Sequence, residues 1–271
     1  MELIQAVVLG VVQGIAEFLP ISSSGHLVIV PELFGWQEFA GNVSFDVLLH
    51  LGTLVAVFAY FWSDLWRLLM AAFSSDPDKA ADKRLAWLVV AGTFITGVIG
   101  LAFDDFFKSL FDRVIWVGLF LMVTSVILVV AERLSTKRFD APERMTWLQA
   151  SLIGLAQGFA IMPGISRSGS TISAGLLTGL DREQAARFSF LLSAPIILLA
   201  SGKTAYDAIS SGASSLPSLP VSIAAFAASA IAGYVSIAWL LNYLKKRSLY
   251  PFAVYTALVG AAVVAWQLWL V

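Results

Sequence analysis

Six stretches of this chain are too long and too apolar for the core of a soluble domain. They cover residues 44–62, 85–103, 114–131, 184–201, 220–240 and 251–270. Each is close to the length that an α-helix needs to cross a bilayer. The composition agrees, since 59% of the residues are hydrophobic and only 13% are charged. The sequence therefore predicts an all-α integral membrane protein with six full transmembrane helices, in a single membrane domain over residues 1–271.

Two further apolar regions, residues 3–34 and 148–180, are interrupted near their middle by Pro, Gly and Ser. The interruptions read LPISSSGH at 19–26 and PGISRSGS at 163–170. The apolar segment before each one is too short to span a membrane comfortably. Irregular backbone at membrane depth persists only where protein or a water-filled cavity surrounds it. We therefore expect each region to be a re-entrant helix hairpin.

The two interrupted regions also match each other without a gap. The paired positions are Gln13-Gly14 with Gln157-Gly158, Ile21-Ser22 with Ile165-Ser166, and Ser24-Gly25 with Ser168-Gly169. Each half then has one hairpin and three full crossings, and because three is odd, the second half enters the membrane from the opposite face. The prediction is an inverted-topology repeat, with a first repeat over 1–131 and a second over 147–271, whose hairpins meet near the midplane.

The distribution of positive charge between the loops predicts which side faces the cytoplasm, where Lys and Arg collect in short loops. Most of the 17 Lys and Arg residues fall on one side: Arg67, Lys79, Lys83, Arg84, Arg133, Lys137, Arg138, Arg144, Arg182, Arg187, Lys245, Lys246 and Arg247. Lys108, Arg113 and Lys203 fall on the other side. Both termini are therefore expected outside the cytoplasm.

Overall charge and cysteine content exclude several classes of function. The net charge of −1 gives no indication of a nucleic-acid partner. The chain has no cysteine, which excludes disulfides, thiolate metal sites and a cysteine nucleophile. Any chemistry must come from other side chains.

Five ionisable residues lie within apolar segments, where such a side chain is costly and usually functional. They are Glu17, His26, Asp46, His50 and Arg167. Glu17, His26 and Arg167 lie in or beside the breaks, so packing of the two hairpins would bring them into one pocket. Asp46 and His50 lie four positions apart on one helix face, which fits either a part in that pocket or a hydrogen bond between them.

The second half of each interrupted region begins with free N–H groups, which favour an anion. Arg167 adds a planar fork that suits two phosphate oxygens. Together with the neighbouring hydroxyls and glycines, these features predict a phosphate-binding site formed by Ser22, Ser23, Ser24, Gly25, Ser166, Ser168 and Gly169. Glu17 would repel a phosphate, so it fits a ligand of a divalent cation or a base.

Gln13 and Gln157 occupy matching places, one helical turn before each break. An amide in this place can orient site residues or satisfy a contact between helices. We expect both glutamines to orient the site.

The segments QGIAEFLPISSSGH at 13–26 and PGISRSG at 163–169 resemble the two signatures of the bacterial undecaprenyl-diphosphate phosphatase family. The segment FDVLLHLGT at 45–53 and the inverted duplication are also similar, so the resemblance covers essentially the whole chain. It implies removal of the terminal phosphate from undecaprenyl diphosphate, which yields the lipid monophosphate that carries cell-wall precursors. Loss of that activity is linked to bacitracin sensitivity.

The resemblance also implies roles for individual residues. Glu17 and His26 would be essential, Ser23 the candidate nucleophile and Arg167 the phosphate clamp. Supporting residues would be Ser22, Ser166, Ser168 and Thr171. Gln13 stands where the family signature takes Glu or Gln, which leaves Glu17 as the carboxylate of that motif. A divalent cation, Mg²⁺ or Ca²⁺, would be held by Glu17 and would offset charge on the transferring phosphoryl group. The sequence leaves open whether a phosphoserine forms or water attacks directly.

Two other functional classes fit part of the pattern. Acid-phosphatase-like lipid phosphatases also use Ser-Gly-His and a later Ser-Arg, but they need a second histidine after it, and this chain has none beyond His50. Secondary transporters share the paired broken helices. A lipid-phosphate flippase or anion transporter would bind phosphate in the same pocket without cleaving it. Turnover by the protein in detergent separates the enzyme from the transporter.

The resemblance sets the expected surroundings of the pocket. A polyprenyl diphosphate would enter sideways from the bilayer into a groove between helices. The expected location is the bacterial inner membrane, with the active site facing the periplasm. The sequence leaves the oligomeric state open, a homodimer included.

Overall fold

The computed structural model describes residues 1–36, 38–111, 113–136, 141–210 and 216–269; the loop cations Lys137 and Arg138 lie outside them. The α-helices of this part of the chain are α1 Glu2–Phe18, α2 Ser23–Phe34, α3 Val43–Tyr60, α4 Trp62–Ala72, α5 Ala80–Ala102, α6 Asp104–Leu110, α7 Val114–Leu134, α8 Trp147–Phe159, α9 Arg167–Thr178, α10 Arg182–Ser210, α11 Leu219–Leu244 and α12 Tyr250–Trp269. Two 3₁₀ turns cover Pro77–Lys79 and Pro142–Arg144.

Six of these helices, α3, α5, α7, α10, α11 and α12, are long and apolar enough to cross a membrane. They coincide with the six predicted stretches, so that prediction is confirmed. Large apolar residues also lie on the outer surface, among them Phe94, which is 70% exposed, and Leu101, which is 68% exposed. Such a surface suits hydrocarbon and not water, so the chain is a multi-pass membrane protein.

Both predicted interruptions are breaks between two helices. Helix α1 ends at Phe18 and α2 begins at Ser23, while α8 ends at Phe159 and α9 begins at Arg167. Proline in each break lacks the N–H that a continuing helix needs. In the second break Gly164 adopts a φ of +96°, and a Cβ there would lie 2.4 Å from the carbonyl oxygen of Val117. The backbone therefore reverses into α9 only because residue 164 has no side chain.

Small residues bring each broken pair close to a long helix. Helix α1 packs along α11 and α8 packs along α5. A Cβ on Gly14 would lie 2.6 Å from the carbonyl oxygen of Ser229, and one on Gly154 would lie 2.5 Å from that of Gly92. Close backbone approach of this kind is the usual way that helices associate in membranes. The contacts hold α1 against α11 and α8 against α5.

Three features of the fold extend beyond the sequence prediction. Helix α10 runs from Arg182 to Ser210, well past the predicted end at residue 201. Helices α4 and α6 were not predicted. Helix α4 carries Asp64, which pairs with Arg67 of its own turn and with Arg187 of α10. These short helices lie at the ends of the bundle and do not contribute to the pocket described next.

Candidate active site

The two breaks end in the same local structure. The Ser22 hydroxyl accepts a hydrogen bond from the Gly25 N–H at 3.3 Å, and the Ser166 hydroxyl accepts one from the Gly169 N–H at 3.0 Å. Each serine therefore caps the helix that follows it. The capping hydroxyls also contact the hydroxyls two residues later, Ser24 at 3.4 Å and Ser168 at 3.2 Å. Each break thus places a pair of hydroxyls beside a helix N-terminus.

Glu17 is the centre of the pocket. It lies in the last turn of α1 and is only 5% exposed. Its Oε1 accepts a hydrogen bond from Arg167 Nη2 at 2.7 Å. Its Oε2 accepts one from Ser23 Oγ at 2.5 Å and one from Gln13 Nε2 at 3.0 Å. A carboxylate so deeply buried needs these partners, and they join the first break to the second.

Arg167 is the first residue of α9 and reaches across to the first break. Its Nη2 also approaches the backbone oxygen of Glu17 at 3.3 Å. Its Nη1 is buried and has no hydrogen-bond partner among the described residues. Beside it, the Ser168 hydroxyl donates to the backbone oxygen of Leu19 at 2.9 Å, which ties the two breaks together. A buried guanidinium N–H without an acceptor is unfavourable, so the geometry favours an anion at this place.

His26 lies in the first turn of α2 with both ring nitrogens in contact. Nδ1 lies 2.7 Å from the backbone oxygen of Ser22, and Nε2 lies 2.7 Å from the hydroxyl of Tyr255 in α12. Sequence reasoning missed Tyr255, because nothing in an apolar helix distinguishes one tyrosine until its partner across the bundle is known.

Helix α3 contributes His50 to the pocket. Its Nδ1 donates to the backbone oxygen of Asp46 at 2.7 Å, and its Nε2 lies 3.8 Å from Glu17 Oε2. The imidazole of His50 therefore contacts the backbone of Asp46 and faces Glu17. This places the Asp46 and His50 turn of α3 at the wall of the pocket.

Of the remaining predicted residues, Thr171 contacts Arg167 of the pocket and Gln157 does not. Thr171 lies in α9 behind Arg167, and its hydroxyl contacts that of Ser189 in α10 at 2.6 Å. Ser189 is a fully buried residue that the sequence analysis did not single out. Gln157 lies elsewhere, since its amide donates to Thr96 of α5 at 3.0 Å. Gln13 contacts Glu17, whereas Gln157 contacts a neighbouring helix.

Oxygen atoms for a divalent cation are present at Glu17 and Gln13. Gln13 Oε1 is buried and has no hydrogen-bond partner among the described residues. The described residues form no group of three or more His, Cys, Asp or Glu side chains that could hold a metal ion. Mg²⁺ commonly takes one or two protein ligands and completes its shell with water and phosphate oxygens. The donors therefore fit a cation that binds together with a phosphate.

Comparisons with known proteins point to one family. Residues 6–262 match the family model described as "Bacitracin resistance protein BacA". A protein of Methanosphaera stadtmanae named "Undecaprenyl-diphosphatase" is 41% identical, over 96% of this chain and 96% of its own length. Proteins of Halothermothrix orenii, named "Undecaprenyl-diphosphatase", and of Corynebacterium jeikeium, named "Undecaprenyl-diphosphatase 1", are 43% and 42% identical. The match with the Halothermothrix orenii protein covers 97% of this chain and 98% of that protein. The match with the Corynebacterium jeikeium protein covers 98% of this chain and 94% of that protein.

Proposed function

Because the chain belongs to the bacitracin resistance protein BacA family, we propose that the pocket around Glu17 hydrolyses undecaprenyl diphosphate. The products are undecaprenyl phosphate, the carrier of cell-wall precursors, and inorganic phosphate. The names of the relatives support the substrate. The observation that carries the proposal is the meeting of Glu17 and Ser23 from one break with Arg167 from the other.

The terminal phosphate of the substrate binds between the two breaks. Arg167 Nη1 supplies a buried donor that has no acceptor among the described residues. The first N–H groups of α2 and α9 and the hydroxyl of Ser24 supply further donors. Fixed dipoles and a guanidinium in a site with little water stabilise the charge that spreads over the phosphoryl oxygens.

Ser23 is the proposed nucleophile and Glu17 the proposed base. The Ser23 hydroxyl already donates to Glu17 Oε2 at 2.5 Å, so the carboxylate is placed to take its proton. A bond forms between Ser23 Oγ and the terminal phosphorus, and the bond from that phosphorus to the bridging oxygen breaks. Undecaprenyl phosphate leaves with the bridging oxygen. Water then cleaves the phosphoserine and regenerates both side chains.

A divalent cation, Mg²⁺ or Ca²⁺, is part of the proposal. Glu17 and the side-chain oxygen of Gln13 would hold it. When bound, it would neutralise charge on the diphosphate and so favour departure of the lipid phosphate. The assignment predicts a loss of turnover in EDTA that either ion restores.

The proposed topology is an inverted repeat with two re-entrant hairpins, α1–α2 and α8–α9. The packing supports it, since α1 lies along α11 of the second half while α8 lies along α5 of the first. Each hairpin thus packs on the other half. We place the protein in the bacterial inner membrane, with both termini outside the cytoplasm and the pocket open to the periplasm. A homodimer stays a prediction.

The proposal is tested by phosphate release from a prenyl diphosphate, with protein purified in detergent. Wild type is compared with Ser23→Ala and with Ser109→Ala, an exposed serine of α6 that serves as the matched control. We expect release by wild type and the control, and a loss of about a hundredfold or more in Ser23→Ala, as for other removed nucleophiles. No release by folded wild type from any lipid diphosphate would contradict the proposal and favour a transporter.

A further inference from the structure

The contact between His26 and Tyr255 joins the first break to the last helix of the chain. The two residues are 229 positions apart, and Nε2 of His26 lies 2.7 Å from the tyrosine hydroxyl. Their rings are nearly parallel, with an interplanar angle of 9°. His26 is 8% exposed and Tyr255 is 41% exposed. Tyr255 therefore covers the outer nitrogen of a histidine that is otherwise enclosed.

The two contacts of His26 fix the position of its proton. The backbone oxygen of Ser22 can only accept, so Nδ1 carries the hydrogen in the 2.7 Å contact between them. In a neutral imidazole Nε2 is then the acceptor, and the hydroxyl of Tyr255 donates to it. Both contacts together hold the ring in one tautomer and one orientation.

A tyrosine hydroxyl suits this position because it can also accept a hydrogen bond. If Nε2 gains a proton during turnover, the hydroxyl can rotate and accept from it. The distance between the two groups then need not change as the proton comes and goes. Phenylalanine would fill the same space but would leave Nε2 without this partner.

We propose that Tyr255 is a positioning residue for the phosphatase reaction and acts by holding the imidazole of His26, one helical turn from Ser23, in one tautomer and one orientation. The proposal rests on the proposed function, since a positioning role for Tyr255 requires that the pocket around Glu17 and Ser23 carries out the reaction. Tyr255 itself need not touch the substrate. Its contribution should vanish when His26 is absent.

Ring-nitrogen NMR tests the contact directly, because the chain contains only two histidines. Protein labelled with ¹⁵N-histidine gives two sets of ring signals, and a His50→Gln variant assigns them. We expect His26 to carry its hydrogen on Nδ1 and its Nε2 signal to shift in Tyr255→Phe. Tyr250→Phe is the matched control, since Tyr250 lies on the same helix and is also 41% exposed. A hydrogen on Nε2, or an Nε2 signal unchanged in Tyr255→Phe, would overturn the proposal.

Kinetics test the role in turnover. We expect kcat of Tyr255→Phe to fall about tenfold with KM within about twofold, as for one hydrogen bond of ordinary strength lost from the transition state. Tyr250→Phe should match wild type, and Tyr255→Phe should add nothing in a His26→Ala background. Unchanged kcat in Tyr255→Phe, or a further loss in that background, would refute the role. If wild type released no phosphate, the proposed function would fail, whereas the NMR result would still report on the contact.

Discussion

Ser22 is the only non-glycine residue in the described parts of the chain with a positive φ, at 73°. Its counterpart in the second break, Ser166, has an ordinary φ of −71°. Left-handed backbone costs a side chain about 1 kcal/mol or more. The conformation of Ser22 persists because its hydroxyl caps α2 and its carbonyl oxygen accepts from the ring of His26. One of the contacts that stabilise the strained backbone of Ser22 therefore also fixes the position of the His26 ring.

Because the two serines differ in backbone conformation, substitution by glycine or alanine should change thermal stability differently at Ser22 and at Ser166. At Ser22, alanine loses the cap and keeps the strained backbone, whereas glycine relieves the strain. At Ser166, both changes lose the cap and neither relieves strain. We expect the gap in melting temperature between the Gly and Ala variants to be larger at Ser22, by the equivalent of about 1 kcal/mol. Thermal unfolding in detergent measures it, and equal gaps at both positions would contradict the account.

At the residue scale, the sequence could identify side chains that are unusual for their surroundings. Glu17, Arg167 and His50 are ionisable groups in apolar segments, and the structure brings them to one pocket. Tyr255 and Ser189 were missed because such residues are ordinary in membrane helices. Their significance comes from partners far away in sequence, which a pattern along the chain does not contain.

At the scale of helices, apolar length and proline were sufficient to predict the spans and both breaks. The short helices α4 and α6 escaped prediction because tertiary contacts stabilise them. In α6, Asp104 accepts hydrogen bonds from Lys108 of its own helix and from Lys203 of α10, at 3.0 and 2.9 Å. Lys203 also pairs with Asp207 one turn later, and these ion pairs favour continuation of α10 past its predicted end at residue 201.

Helix packing makes a testable distinction between glycines. A Cβ on Gly154 of α8 would lie 2.5 Å from the backbone oxygen of Gly92, whereas one on Gly97 of α5 would have nothing within 4 Å. We expect Gly154→Ala to lower the melting temperature in detergent, because α5 and α8 must separate. Gly97→Ala should leave it unchanged or raise it, since alanine is favoured over glycine in a helix by about 1 kcal/mol. A Gly154→Ala variant as stable as Gly97→Ala would show that the close contact is not needed.

At the scale of the whole molecule, the pocket needs residues from both halves. Glu17 and Arg167 are 150 positions apart, and their contact depends on both breaks lying at the same depth. The internal repeat predicted this meeting, because matching segments in two halves tend to pack around a common axis. The repeat could not predict that Gln13 faces Glu17 while Gln157 faces Thr96. The two halves have different neighbours at these positions, and sequence similarity does not record that difference.

Orientation in the membrane can be measured directly, because the natural chain has no cysteine. We expect a membrane-impermeant thiol reagent to label Lys108→Cys and Ser24→Cys in intact cells. Lys79→Cys should react only after lysis, since Lys79 belongs to the cation-rich side. Labelling of Lys79→Cys in intact cells, with Lys108→Cys protected, would reverse the proposed orientation. Protection of Ser24→Cys alone would place the opening of the pocket on the cytoplasmic side.

The central claim is that one phosphatase site is formed where the two breaks meet. The most direct measurement is phosphate release from undecaprenyl diphosphate by purified Glu17→Gln and Arg167→Lys, one variant from each half. Lysine keeps the charge of Arg167 but loses its planar fork. Arg67→Lys, at an exposed ion pair in α4, is the matched control. The account predicts that both pocket variants stay folded and that their rate of phosphate release falls by about a hundredfold or more, while the control matches wild type. Near-normal release by either folded pocket variant would contradict it.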